Sequence, residues 1–197
     1  MPTILAHGAV AFTAQRLGLP RGGGKVLLAA IALAMLPDID ALLINRIPYG
    51  AWFGHRGFTH SLFFACLAAL LVSLLFGALR WSSRGSLLML WFFLALVTAS
   101  HGFFDAMTDG GLGVAFFSPF SNNRYFFAWR PIPVAPLSLE ALLTRRGLML
   151  IRWEIFLFGP FAVGAAIVRS KFRYSFALAA ICFAAGVVAW IARLAGV

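Results

Sequence analysis

Residues 86–111 read SLLMLWFFLALVTASHGFFDAMTDGG. The part from 86 to 106 is almost wholly apolar. As a helix it is long enough to cross the ~30 Å hydrocarbon core of a bilayer. Its last turns carry His101 and Asp105. Ionisable side chains in a membrane segment are costly and usually serve a function. This one stretch therefore sets the class of the protein and the place to look for its chemistry.

Four more stretches have the same character: 25–44 (KVLLAAIALAMLPDIDALLI), 61–79 (SLFFACLAALLVSLLFGAL), 148–168 and 174–195. A shorter one, 3–18 (TILAHGAVAFTAQRLG), spans or half-inserts; it lacks the basic lead-in of a signal peptide. The 197 residues are 62% hydrophobic and only 11% charged. A soluble domain is about a quarter charged, so a soluble globule is excluded. The 21 phenylalanines exclude disorder. Cys66 and Cys182 lie inside apolar runs and read as small core hydrophobes, not as a disulfide. The expectation is one all-α integral-membrane domain, 1–197, a polytopic bundle of five or six helices. The segment 107–147 holds Pro119, Pro131, Pro133, Pro136 and many aromatics. It reads as an ordered cap on the membrane surface. Gly22–Gly24 reads as a turn, not a phosphate loop.

The formal net charge is +10. In a soluble chain that would suggest nucleic acid. Here the basic residues lie between apolar runs, so they act as topology signals and contacts to anionic lipid, and no nucleic-acid partner is expected. Alternating helices put 37–60, 107–147 and both termini on one side. Arg16, Arg21, Lys25, Arg80, Arg84, Arg169, Lys171 and Arg173 then face Arg46, Arg56, Arg124, Arg130, Arg145, Arg146, Arg152 and Arg193, a tie. The charge rule weighs short loops most. The short loops are therefore expected in the cytoplasm, and the long ones on the outer, periplasmic face of an inner (plasma) membrane.

Every histidine and aspartate falls in four short patches: His7; Asp38 and Asp40; His55 and His60; and His101, Asp105 and Asp109. The alternation puts all four near one membrane face. His and Asp are a ligand set for zinc or a similar divalent ion. His101 and Asp105 are four apart and share a helical face. Asp38 and Asp40 sit beside Pro37, where a helix end could aim both at one ion. Thr59 is placed to cap the helix that follows His60. Singly, each residue also has a bland reading: a satisfied histidine, or an aspartate paired with arginine. Gathered on one face, they read as a metal site.

The motifs PDID at 37–40, HRGFTHS at 55–61, HGFFDAMTDGG at 101–111, PFSNNRYFFAWRPIPVAPLS at 119–138 and RWEIFLF at 152–158, with the early His7, resemble one family. It is the YdjM-like family of membrane-bound metal-dependent hydrolases, LexA-regulated inner-membrane proteins. The resemblance covers most of the chain. The family looks like a remote relative of the zinc phospholipase C and P1-nuclease superfamily. What this implies is His7, Asp40, His60, His101 and Asp105 as direct ligands, with Asp105 bridging two ions. Asp38, His55 and Asp109 become outer or additional ligands. No histidine follows His101, so the resemblance implies one or two zinc-type ions and not three, with Glu154 filling a vacant place.

The expected activity is hydrolysis of a phosphoester in a lipid or other amphiphile by metal-activated water. Asp38 or Asp109 would relay the proton. Arg56, Arg130 and Arg152 would hold the phosphate. The bland alternatives are an Arg152–Glu154 ion pair and, for Arg124 and Arg130, snorkelling to headgroups. Rival functions are a metal or proton transporter, an intramembrane peptidase (HExxH is absent) and a membrane protein with a purely structural metal.

Overall fold

The computed structural model describes residues 2–16, 23–79, 81, 84–136 and 138–167. The helices are α1 (Ile4–Arg16), α2 (Gly23–Met35), α3 (Leu62–Ala78), α4 (Arg84–Ala106), the short α5 (Leu139–Leu142) and α6 (Arg145–Ile167). The described chain is all-helical, with two isolated β-bridges, Thr108–Ile132 and Val114–Tyr125, and no strand among the described residues. Among the described residues, three helical stretches are long and apolar enough to cross a membrane: Gly23–Leu43, Ser86–Ala106 and Arg145–Ala166. α3 has 17 residues. At 1.5 Å per residue it reaches about 26 Å, slightly short of a hydrocarbon core. α1, with 13 residues, reaches about 20 Å, closer to half-insertion. The expected segment 174–195 lies outside the described residues.

α2 ends at Met35, but helical winding continues past Pro37. Proline has no N–H to give to the preceding turn, and the chain tightens into a 3-10 helix over Leu36–Leu43. The tighter winding leaves Asp38 and Asp40 both buried. A second 3-10 turn, Phe58–His60, precedes α3. The cap of α3 is Ser61, whose Oγ accepts from the Phe64 N–H at 3.0 Å. Thr59 does not cap: its hydroxyl donates to Asp40 at 2.6 Å. Gly23 and Gly24 are not a turn either but the first residues of α2.

α3 packs along α4, α2 lies on α4, and α1 packs against both α2 and α6. Alanines line the close approaches: Ala11, Ala30, Ala34 and Ala69 are buried with Leu90, Phe93 and Leu94. Small residues let helices approach where no hydrophobic drive separates protein from lipid. The outward faces carry exposed Leu71, Leu74, Leu88 and Phe92. At one end Lys25 Nζ sits 3.9 Å over the Trp81 ring, an aromatic–basic pair suited to a membrane interface. Arg21, Arg80, Arg169, Lys171 and Arg173 lie outside the described residues.

At the opposite end the cap lies on the bundle as expected. The Ala115 N–H donates to Arg56 O, Leu62 N–H to Phe116 O, Phe127 N–H to Ala106 O and Asp109 N–H to Ile132 O. This end collects the start of α1, both 3-10 helices and the end of α4. Gly102 makes the fit possible. A Cβ there would stand 2.8 Å from His60 O and 3.4 Å from the Phe116 ring. Gly24, by contrast, has open space around it. Gly102→Ala is expected to lower thermal stability in detergent by more than 1 kcal/mol, on the order of an overpacked core. Gly24→Ala should leave it unchanged or raise it. Equal melting temperatures for the two variants would contradict this packing.

Candidate metal centre

Hydrogen bonds fix the histidine tautomers. His101 Nδ1 lies 2.7 Å from Ala34 O, and a carbonyl only accepts, so Nδ1 carries the proton. Its Nε2 lies 3.2 Å from Asp38 Oδ1, and a neutral ring would turn a lone pair towards that carboxylate. His60 Nδ1 is 3.1 Å from Asp40 Oδ2, leaving Nε2 aimed at Asp105 Oδ2 (3.3 Å) and Asp38 Oδ1 (3.7 Å). His7 stacks on His101 at 3.7 Å, with Nε2 3.9 Å from Asp105 Oδ1. His7 Nε2, His60 Nε2, Asp38 Oδ2 and both Asp105 oxygens are buried and make no hydrogen bond. Buried polar atoms are rarely left so. Their convergence is what a cation site requires.

Asp40 stands behind this inner group. Its Oδ1 is 2.6 Å from His55 Nδ1, while Oδ2 takes the Thr59 hydroxyl (2.6 Å), His60 Nδ1 and the Arg56 N–H (3.2 Å). By simple proximity the ligand-type residues form two groups, Asp38–Asp40–His55–His60 and His7–His101–Asp105. Within these groups the contacts differ. His7, Asp38, His60, His101 and Asp105 face inward; Asp40 and His55 orient them from outside. A carboxylate behind a ligating histidine fixes its ring and tautomer. Asp38 thus approaches His60 and His101, while Asp40, expected as a direct ligand, is engaged by His55, Thr59, His60 and the Arg56 N–H; both aspartates are among the residues that could hold an ion. Burial opposes charging His60, but Asp105, Asp38 and Asp40 outweigh it and hold its pKa well above the ordinary imidazole range.

Arg56, expected to hold a phosphate, lies inside the protein. It is 0% exposed and sits at φ 60°, in the left-handed region. Its Nε lies 3.0 Å from Asp105 Oδ2, an ion contact without good hydrogen-bond alignment. The other nitrogens donate to Gly110 O (2.8 Å) and Thr108 Oγ1 (3.0 Å). Gly111, at φ 89°, leaves room for it: a Cβ there would stand 2.8 Å from Arg56 Nη1. The guanidinium braces the end of α4 and neutralises Asp105.

Other expected site residues lie elsewhere. Asp109 Oδ1 accepts from the Val134 N–H at 2.8 Å, holding the cap. Glu154 is buried and is engaged by Thr3, through its N–H at 2.6 Å and its hydroxyl; it ties the start of α1, and so His7, to α6. It neither joins the cluster nor pairs with Arg152. Arg130 lies 5.0 Å over the Phe126 ring, and exposed Arg152 borders a surface hollow with Trp153. Arg124 does not snorkel. It donates to His55 O (2.8 Å), Tyr49 O (2.8 Å) and Ala51 O (3.1 Å), pinning the loop that carries His55. Ala34 O, Thr3 and Thr108 were not legible as site residues, because backbone carbonyls and single hydroxyls leave no spacing signal.

The family model described as YdjM inner membrane protein matches residues 1–195. The chain is 41% identical over 160 residues to inner membrane protein YbcI of Escherichia coli strain K12, an alignment covering 79% of this chain and 89% of that protein. No solved structure matches. The chain belongs to the YdjM family of inner membrane proteins.

Removing Arg56 leaves Asp105 buried without its charge partner. Arg56→Ala is expected to cost about 3–5 kcal/mol, the usual penalty for breaking a buried pair. Arg56→Lys should recover little, since an ammonium cannot reach Asp105, Thr108 and Gly110 at once. Unfolding followed in detergent would measure both. An Arg56→Ala protein as stable as wild type would show that the brace is dispensable.

Proposed function

We propose that this protein is a membrane-embedded metal-dependent hydrolase acting on a phosphoester of a lipid or other amphiphile. The single observation that supports it most is the inner group of histidines and aspartates, in which His7 Nε2, His60 Nε2, Asp38 Oδ2 and both Asp105 oxygens are buried without a hydrogen bond. Charge points the same way. Asp38, Asp40 and Asp105 are buried around one buried guanidinium, Arg56. Once His60 gives up its proton, the neutral histidines leave two negative charges that a divalent ion would balance, and an unbalanced buried charge is costly.

The donor set fits a borderline cation such as zinc, as one ion or two. His7, His60 and His101 through Nε2, with Asp38 and Asp105, would hold it. When bound, such an ion supplies Lewis acidity to a phosphoryl oxygen and lowers the pKa of water. The chain's own residues do the rest. Asp40 and Ala34 O orient the rings of His60 and His101. Asp38, at 8% the most exposed of the inner residues, has one oxygen facing histidines and the other without a partner. It is the group to take a proton from an attacking water. The cap and the lipid-facing helices exclude bulk water, and the membrane location favours amphiphilic substrates.

A purely structural metal is the second reading, favoured by how closed the site is: His101 and Asp105 are 0% exposed. A transporter fits less well, because the ionisable groups gather at one end and not along the helices. Arg56 and Asp38 are both built into the site, so Arg56→Ala cannot separate chemistry from folding. Asp38→Asn is the better probe.

Metal analysis of the purified full chain should find bound divalent ion, lost in His101→Ala. Asp40→Asn should weaken affinity by about 10–100-fold, as for other residues that orient ligands. Binding should release a proton from His60 and weaken as pH falls. Asp38→Asn should stop turnover of a lipid phosphoester while the protein stays folded. If chelation unfolds the protein and broad screening finds no turnover, the structural reading stands instead. In a cysteine-free background, Asn123→Cys in the cap should label from the periplasmic side of sealed vesicles. Labelling only from the cytoplasmic side would reverse the orientation.

A further inference from the structure

Beside the cluster lies a cavity of about 390 Å³, in the size range of small-ligand pockets, roughly 300–1,000 Å³. Its walls come from α1, the end of α4, the cap and α6; Val10, Phe104, Met107, Ile132, Phe158 and Phe161 carry most of them. Thr13 also lines it, but its hydroxyl donates to Ala9 O at 2.8 Å within α1. The lining thus offers a ligand hydrocarbon contact and almost no hydrogen bonding.

Its placement is directional. Phe104 precedes Asp105 on α4, and Val10 follows His7 by three residues on α1, near one helical turn. Trp129 and Pro131 line it from the cap, which packs on the end of α4 that carries the cluster. Ala14 and Phe161 lie farther along α1 and α6, away from it. An amphipathic indole at one end and plain hydrocarbon at the other match the polarity gradient from a membrane interface inwards.

We infer that this cavity is an acyl-chain slot, which holds one tail of a membrane lipid and presents the lipid's headgroup at the end of the bundle that carries the His–Asp cluster. A fully apolar slot in a membrane protein meets hydrocarbon tails at very high local concentration. A polar or charged ligand would find no partner in it. The slot itself rests on the cavity and the membrane location alone. That its lipid is also the substrate rests on the hydrolase reading.

The test uses the full chain in vesicles of phosphatidylglycerol bearing a photoreactive group near the end of one acyl chain. After irradiation, adducts are mapped by mass spectrometry. The expected result is adducts on Val10, Phe158 or Phe161 above the level on the lipid-facing residues Leu71 and Leu74 of α3. Ala14→Phe, which fills the slot, should reduce them to that level with metal content and melting temperature unchanged. A fill-in protein that fails to fold is replaced by Ala9→Leu, read the same way. Adducts no stronger than on α3, or unaffected by filling, would reduce the slot to ordinary lipid contact and overturn the proposal. So would adduct-free slot residues found cross-linked to residues 168–197 or to a second copy by a chemical linker. Turnover is scored separately: an occupied slot without turnover rejects the hydrolase reading and keeps the slot, and turnover with an unoccupied slot does the reverse.

Discussion

Asp105 is buried at the end of a membrane helix, and a carboxylate there must be compensated from several directions. Arg56 answers from one side with a guanidinium. His60 and His7 approach from others with ring nitrogens. To bring these partners in, the chain must fold the 45–60 loop back over α4, hold Arg56 in a left-handed conformation and fit the His60 carbonyl against Gly102. Much of the architecture at this end follows from the need to surround one charge.

The supports form a hierarchy. Asp40 collects His55, Thr59, His60 and the Arg56 amide, so a single carboxylate sets the shape of the HRGFTHS segment. Arg124 fixes the backbone of the same loop from the cap through three carbonyls. Glu154 fixes the start of α1 through Thr3. These charged side chains serve as positioning groups: Asp40 and Glu154 are engaged by partners of their own, and Arg124 donates through both terminal nitrogens. The inner lone pairs are not satisfied in that way.

The cap also links chemistry to membrane. It pairs with the loop at Arg56 and Leu62 and with the end of α4 at Ala106. Its residues Trp129 and Pro131 meanwhile form one end of an apolar cavity between α1 and α6. A polar cluster and a hydrocarbon slot thus share the same covering segment, an arrangement suited to a molecule with both a polar head and a tail.

Helix class and membrane residence follow from composition and from unbroken apolar runs, because a chain in lipid must satisfy its backbone internally and helices do so locally. The four His/Asp patches were legible for the same reason: ionisable groups stand out in an apolar sequence, and alternating helices put the patches on one face. What each residue does depended on contacts between distant segments. Asp38 and Asp40 are two residues apart, and only the 3-10 winding after Pro37, with His101 on one side and His60 on the other, decides which faces inward. Arg56 read as a phosphate ligand, and Glu154 as a spare metal ligand. Asp105, 49 positions after Arg56, and Thr3, 151 before Glu154, gave them other roles. Spacing along a helix encodes a shared face; partners brought together by packing leave no periodic trace, so only the tertiary structure could assign them.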